Sequence, residues 1–209
     1  MIRIAALGMG AMMLAGCVSV LPEPVVPDSL YRLRSSELLT DGAPVRLPVS
    51  VVVFEPEGSS LLMGKGIVFE DESGTLSVMR KSQWSDYASR LLQNALMDRL
   101  SVRDPDSKGV ALDERAGAFA PVELRWQVRD YFVRDSDAIV SLRVTVMTSR
   151  SREILGQYDV VKTEAFTGKP ETEGVEALVR ASRSAVDTVA TDLPPYLDQI
   201  ELMAESSKR

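Results

Sequence analysis

The 209-residue sequence contains no histidine and a single cysteine, Cys17. The absence of histidine removes the serine–histidine and cysteine–histidine pairs of nucleophilic catalysis, together with the side chain that most often binds metal ions. A lone cysteine forms no internal disulfide, so an exported form of this chain depends on its hydrophobic core for stability. Catalysis or metal binding built on histidine is therefore excluded.

Long apolar runs are also scarce. The run at the N-terminus, Ile4–Met13, follows the cation Arg3 and is shorter than the roughly 20 apolar residues that a membrane-spanning helix needs. A charged start, a short apolar run and small residues after it are typical of a secretory signal. We expect residues 1–16 to be this signal.

The small residues at the end of the signal lead directly into the cysteine. Leu14, Ala15 and Gly16 precede Cys17 and give the pattern Leu-Ala-Gly-Cys, which is similar to the lipobox that bacterial lipoprotein-processing enzymes recognise. The resemblance implies cleavage before Cys17, a diacylglyceryl thioether on its sulfur and a further acyl chain, such as palmitate, on its freed amine. Two or more chains anchor a protein stably, whereas one gives marginal binding. The alternative is a buried cysteine in an N-terminal apolar helix.

Residues 17–29 are predicted to form a tether. Pro22, Pro24 and Pro27 favour an extended, semi-rigid spacer, with a rise of about 3.1 Å per residue in polyproline II. No aspartate follows Cys17, and in enterobacterial-type sorting this absence favours the outer membrane over the inner one. The predicted location is therefore periplasmic, with the lipid anchor in the inner leaflet of the outer membrane.

The rest of the chain has an excess of acidic residues. The net charge of −6 becomes −7 once the signal, with its single cation Arg3, is removed. An acidic surface argues against nucleic acid as a partner and against broad electrostatic binding to anionic lipid head groups. Residues 30–200 are long enough for one domain with a sizeable core, and the polar residues 201–209 are predicted to be a C-terminal tail.

Periodicity in the mature chain predicts a series of strands. Residues 122–128 and 140–146 alternate apolar with polar side chains and flank a turn at Arg134-Asp135-Ser136-Asp137, which indicates an antiparallel hairpin. The β-branched run at 48–55 is too continuous for a half-exposed strand and is predicted to be central. Further strands are predicted at Tyr31–Leu33, Gly66–Phe69, Thr75–Val78 and Ile154–Phe166.

Two amphipathic helices complete the predicted fold. The first runs from Ser82, as its N-cap, to about Leu100, and the second from Thr172 to Asp192, where Pro194-Pro195 stops it. The predicted class is α+β: a two-layer sandwich of a mainly antiparallel sheet, with two long helices packed on one face.

The order of these elements, with the residues that mark them, forms a pattern over nearly the whole mature chain. The markers are Cys17, Tyr31-x-Leu33, Val49–Phe54, Gly66-Ile67-Val68-Phe69, Gln83-Trp84 at a helix start, Leu124-x-Trp126, the strand at 139–146 and the strand-to-helix close of 154–192. This pattern resembles the auxiliary lipoproteins of ABC-type transport systems, a group that includes the PqiC-like intermembrane transport lipoproteins.

The resemblance implies a non-catalytic role in an MCE-type system that moves lipids between the inner and outer membranes. The implied partners are the membrane, a periplasmic MCE protein, and the ABC transporter or membrane complex joined to it, with a homo-oligomer left open. No cofactor is expected beyond the covalent lipid on Cys17. Two alternatives are a lipid carrier or chaperone with its own apolar cavity, and an activator of a cell-wall enzyme.

Some residue types offer other chemistry. Asp130, Asp135 and Asp137 surround one predicted hairpin, and paired carboxylates can bind calcium or cleave glycosides. We interpret them instead as turn formers and solvated charges. Trp84 and Trp126 lie on predicted apolar faces, so we predict core packing rather than ligand stacking for both.

Two further segments are assigned from their glycines. Gly64-Lys65-Gly66 lacks the spacing of a phosphate-binding loop and is predicted to be a strand-entry turn. The hairpin at Ile67–Val78, with its acidic loop Glu70-Asp71-Glu72, is predicted to offer exposed edge and loop surface for self-association or partner docking.

Overall fold

The computed structural model describes residues 26–33, 43–102 and 104–206. The predicted signal, the lipobox residues Leu14, Ala15, Gly16 and Cys17, and most of the tether lie outside the described residues. None of the helices within these ranges combines the length and apolar character that crossing a bilayer requires.

The described residues form an eight-stranded sheet with helices packed on one face, so the α+β class is confirmed. The antiparallel pairings are β3–β4, β6–β7 and β7–β8, and the parallel pairings are β1–β4, β2–β5, β2–β6 and β3–β6. The sheet is therefore mixed, and the prediction of a mainly antiparallel sheet is not confirmed, because the short strands enter it through crossovers instead of hairpins. The strands β1 to β8 are Ser29–Tyr31, Val51–Val53, Gly66–Glu70, Leu76–Trp84, Ala111–Asp113, Val122–Arg134, Asp137–Thr148 and Ile154–Ala165.

The long strand β6 organises the sheet. One of its edges pairs with β7 from Val122 to Arg134, as the alternating pattern predicted. The other edge is divided: residues 122–124 pair with β2, and residues 133–134 pair with β3. The sheet therefore has two arms on this side, β2–β5 and β3–β4–β1, while β7 and β8 continue it on the other.

Helices α1 to α4 span Ser60–Met63, Ala88–Ser101, Val175–Asp192 and Pro194–Ser206. A 3-10 turn at Glu114–Ala116 and a π-helical turn at Pro170–Gly174 complete the described helical segments. Helix α3 contacts α2, β7 and β8, and its fully buried residues Ala177, Ala181 and Ala185 allow close approach to the sheet.

The C-terminal end contains one more long helix than the two that the sequence predicted. Helix α3 ends at Asp192, as predicted, but α4 begins immediately at Pro194-Pro195. Proline is tolerated in the first turn of a helix, because the N–H groups there have no intrahelical acceptor. The two prolines therefore separate two helices rather than ending the helical region.

The predicted start of the first long helix is wrong. Strand β4 continues through Ser82 to Trp84, and α2 begins at Ala88. Both neighbours of β4 pair with this segment, since Ser29 of β1 lies opposite Ser82 and Gly66 of β3 lies opposite Gln83. These pairings between distant parts of the chain outweigh the helical spacing of the local sequence.

Candidate docking surface

The face of the sheet opposite the helices is polar and open. On β6, Leu124 and Trp126 are buried against the helical layer, so Arg125 and Gln127 point to the other side. This side, the outer face, carries a cleft of about 290 Å³ that opens to solvent. The cleft is lined by Phe54, Glu55, Glu57, Arg125, Gln127, Arg143, Thr145, Met147 and Gln157, with part of Trp126.

Two arginines in this cleft are held by fixed partners. The guanidinium of Arg125 lies 3.8 Å from the ring centroid of Phe54, and its Nε donates to a Glu123 carboxylate oxygen at 3.0 Å. Arg143 donates to both carboxylate oxygens of Asp159, at 2.8 and 3.0 Å. This ion pair lowers the pKa of Asp159 and raises that of Arg143. The cleft is therefore a pre-ordered polar surface.

Strand β8 is a long open edge next to this face. It spans Ile154–Ala165 and pairs with β7 on one side, and no described strand pairs with its other side. Ile154 and Val161 are each 60% exposed. An unpaired strand edge with exposed apolar residues can accept an added strand from a partner. Together, the outer face and the β8 edge form the candidate docking surface.

The hairpin that the sequence suggested for docking is only partly exposed. Strands β3 and β4 do form an antiparallel hairpin, and Asp71 orders its turn by accepting from the backbone N–H groups of Ser73 and Thr75, both at 2.9 Å. However, β3 lies between β4 and β6, and Ile67 and Val68 are buried. Strand β3 is therefore an inner strand, and the exposed edge and loop surface of this hairpin is limited to the turn and β4.

The tryptophans belong to the core, which confirms the prediction of core packing. Trp84 is 1% exposed and stacks on Tyr131, with ring centroids 5.6 Å apart. Trp126 is 3% exposed, and its indole N–H donates to the carbonyl of Phe54 at 2.7 Å. Neither ring is available to stack on a ligand.

The remaining candidates from the sequence are the aspartates of the β6–β7 hairpin and the glycine-containing segment before β3. Asp135 occupies the turn between β6 and β7, and Asp137 accepts a hydrogen bond from the hydroxyl of Ser136 at 3.2 Å. Asp130 lies at a register shift in β6. Within the described ranges, no three side chains are placed to hold a metal ion. Gly64-Lys65-Gly66 leads from α1 into β3, which confirms the predicted strand-entry turn.

A buried polar cluster at the ends of β2 and β5 was not predicted. Gln93 of α2 is fully buried, and its amide donates to the carbonyl of Val53 at 3.0 Å and to Glu114 at 3.2 Å. The backbone N–H of Glu55 also donates to Glu114, at 2.6 Å. The cluster fastens α2 to the sheet.

The outer members of this cluster pair with one another. The hydroxyl of Ser89 donates to Glu55 at 2.5 Å, and Arg115 pairs with the other oxygen of the same carboxylate. Arg115 also donates to the side-chain oxygen of Gln93 at 3.2 Å. The charged groups are therefore engaged within the cluster, which is typical of a structural network rather than a reactive site. These residues lie up to 60 positions apart, so no local sequence signal could have grouped them.

We expect Glu114→Gln to flatten the dependence of stability on pH. Burial raises the pKa of Glu114, so the folded state holds a proton at a pH where the unfolded chain has lost it. Stability then falls as pH rises from the unfolded pKa, about 4.3, through the raised folded pKa. Glutamine keeps an oxygen for the N–H of Glu55 but does not titrate. Urea unfolding between about pH 4 and 7 measures the effect.

The matched control is Glu72→Gln, at an exposed position in the β3–β4 turn. The free energy of unfolding of this variant should differ from that of the parent protein by a constant amount across the same pH range. An unchanged pH profile in Glu114→Gln would contradict the assignment of the raised pKa to this carboxyl.

Comparison with known protein families and solved structures matches the chain to one family. The family model of the ABC-type transport auxiliary lipoprotein component matches residues 31–194. The crystal structure of protein XCC0632 from Xanthomonas campestris, of family DUF330, is similar, with a TM-score of 0.63 and 15% identity over 85% of this chain and 99% of that one. Another crystal structure, of an uncharacterised protein, has a TM-score of 0.61 and 13% identity over 80% and 99%. These likenesses show the fold alone. No curated protein matches the chain.

Proposed function

The chain belongs to the family of ABC-type transport auxiliary lipoprotein components, and from this premise we propose that it is the non-catalytic auxiliary subunit of an MCE-type system that moves lipids between the inner and outer membranes. The observation that carries the proposal is the family match over residues 31–194, which spans the domain from the end of β1 to the start of α4. In this proposal Cys17 carries the lipid anchor in the outer membrane, and the domain extends into the periplasm.

A docking role is favoured over a carrier role by the packing of the described core. Leu142, Val144 and Leu178 are completely buried where the sheet meets the helices. The outer-face cleft is lined largely by polar and charged groups, as is a second open cleft of about 360 Å³ beside Arg180. A more apolar cleft beside Pro27 is not enclosed but open to solvent. A lipid carrier needs an enclosed apolar space for acyl chains. The buried core and the open, polar clefts therefore support an adaptor that works through its surface.

The proposed surface is the outer face together with the β8 edge. The ordered arginines of the outer face suit hydrogen bonds to carboxylates and carbonyls of a protein partner. The β8 edge supplies unpaired backbone groups between Ile154 and Ala165 for a strand of the periplasmic MCE protein. The hairpin turn at Glu70-Asp71-Glu72 stays a second candidate for docking.

The basic test is a binding experiment on the mature chain with Cys17→Ser. The protein is passed over the immobilised periplasmic MCE protein from the same operon, and any bound lipid is analysed by mass spectrometry. We expect direct binding with no lipid in the isolated domain. Lipid in the domain, without affinity for this partner, would overturn the proposal in favour of the carrier.

The double variant Ile154→Lys with Val161→Lys tests the β8 edge. We expect affinity for the MCE protein to fall about tenfold or more, because two apolar contacts are lost and charges oppose strand addition. Both positions are exposed, so stability should change by less than about 0.5 kcal/mol for each substitution. Binding is measured by surface plasmon resonance.

A matched control for this variant is Leu202→Lys on α4, where the parent side chain is 65% exposed. It adds a charge at an exposed apolar residue that belongs to a helix and not to β8, and it should bind like the parent. Unchanged binding in the β8 double variant would exclude this edge as the docking site.

A further inference from the structure

An exposed surface beside the tether is separate from the docking surface. It combines apolar and basic side chains of β1, of β4 and of the residue where the described chain begins. Val26 is 79% exposed, Leu30 64% and Val78 47%. We name this the tether-side surface: Val26, Leu30, Val78, Arg80 and Lys81.

The sheet fixes where the tether meets this surface. Strand β1 runs parallel to the end of β4, with Ser29 opposite Ser82. The residues before Ser29 therefore lie beside the preceding part of β4, and Asp28 lies 3.9 Å from the ammonium of Lys81. Pro27 lines an open cleft of about 330 Å³ together with Val78 and other residues of β3 and β4. The chain thus reaches the domain at this surface.

The length of the tether restricts how far this point can lie from the membrane. Only residues 18–25 separate Cys17 from Val26. At no more than about 3.6 Å per residue, the nine steps between these two residues can span at most roughly 32 Å. A surface held this close to the membrane meets the lipid head groups at a high effective concentration, so weak contacts are sufficient to orient the domain.

The charges on this surface complement anionic lipid head groups, although the whole chain is acidic. Arg80 is exposed and makes no ion pair among the described residues, and the contact of Lys81 with Asp28 is long and open to solvent. Each cation near an anionic bilayer adds attraction, and exposed apolar side chains insert at the interface. The carboxylates of Asp71 and Glu72 lie at the other end of β4, in the hairpin turn.

We propose that the tether-side surface lies against the anionic head groups of the membrane that carries the anchor. The hairpin turn, with its acidic residues, then tilts away from the bilayer. The proposal rests on the anchoring of Cys17 in the proposed function and adds an orientation to it. Along the order β1–β4–β3–β6–β7–β8, strand β8 is at the opposite edge of the sheet from β1. At about 4.8 Å per strand, the β8 edge is held roughly 24 Å from β1 and faces the periplasm.

A fluorescence experiment on the lipidated protein tests this orientation. Cys17 is the only cysteine and its thiol carries the lipid, so Val78→Cys introduces a unique free thiol for an environment-sensitive dye. The protein is placed in vesicles of phosphatidylethanolamine and phosphatidylglycerol that contain nitroxide-labelled head groups. The matched control is Val161→Cys on β8, which is similarly exposed. We expect strong quenching at position 78 and little at position 161.

Charge reversal tests the electrostatic part of the proposal. Arg80→Glu and Lys81→Glu are added to the Val78→Cys protein. They should lower the ratio of domains that lie against the bilayer to domains that do not by roughly tenfold or more. The effect should shrink in vesicles of phosphatidylcholine alone. Both side chains are exposed, so the fold should be retained.

Three outcomes would overturn the proposal. Equal quenching at positions 78 and 161 means that the domain has no preferred orientation. If the dye at position 78 reports burial only when the MCE protein is added, the surface belongs to that partner. If its burial increases with the density of the protein on the vesicles, the surface belongs to a second copy of the chain. The binding test of the proposed function uses the unlipidated Cys17→Ser chain, so its result is independent of this one.

Discussion

Replacing Cys17 with serine is expected to remove acyl labelling from the protein completely. The lipobox resemblance places both the thioether-linked lipid and the N-terminal acyl chain on this residue, and the chain has no other cysteine. Cells grown with radioactive palmitate should incorporate label into the parent protein and none into Cys17→Ser. The same resemblance implies that cleavage before residue 17 requires a lipid-modified cysteine, so the variant with its own signal is expected to accumulate as the uncleaved precursor.

The effect of the lipid on location needs a second form of the variant. When the Cys17→Ser chain is exported behind a signal that is cleaved without lipidation, we expect nearly all of it in the soluble periplasmic fraction. Each buried methylene of an acyl chain contributes about 0.8 kcal/mol to membrane binding, which the contacts of the tether-side surface alone do not replace. Ser19→Ala is the matched control and should stay labelled and membrane-bound. A labelled Cys17→Ser protein would contradict the assignment of the anchor.

Trp84→Ala is expected to lower the free energy of unfolding by about 3–5 kcal/mol. The indole is 1% exposed and stacks on Tyr131 with an interplanar angle of 20°. Truncation removes this contact and leaves a cavity where β4 meets the core, since the surrounding strands relax only in part. Urea unfolding followed by circular dichroism measures the loss, and the fluorescence of Trp126 provides an independent signal.

Two variants separate packing from other effects at this end of β4. Trp84→Phe keeps an aromatic ring against Tyr131 and should cost less than half as much as the alanine variant. Tyr87→Ala, three residues further on, changes a side chain that is 53% exposed and should cost less than about 1 kcal/mol. If Trp84→Ala costs no more than Tyr87→Ala, the indole is not part of the core.

Local patterns predicted the longest elements well. The alternation in β6 and β7 indicated both strands, the hairpin between them and the turn, because a period of two over many residues is a strong signal. The amphipathic spacing of α3 indicated a helix that ends at Asp192. In both cases the pattern that predicts the element lies within one continuous segment of the sequence, so no distant part of the chain is needed to recognise it.

The candidate docking surface was only partly foreseeable. The polar side chains of β6 and β7 were predicted to face away from the core, and they form the outer face. The open edge of β8 depends on which strands flank it, and a sequence pattern does not contain this information. The same applies to the predicted docking hairpin, because β3 pairs with β6 as well as with β4, and the side chains of Ile67 and Val68 are buried.

The sequence by itself determined the long elements and the prediction of an anchor at Cys17, whereas the tertiary structure decided the ends of elements and the polar clusters. A lipobox is a short linear pattern that enzymes recognise before the chain folds, so Cys17 needs no tertiary context. The continuation of β4 through Ser82, and the existence of the three-residue strand β5, depend on distant partners. A strand of three residues forms when a neighbouring edge supplies its hydrogen bonds, and that edge exists only after the chain has folded.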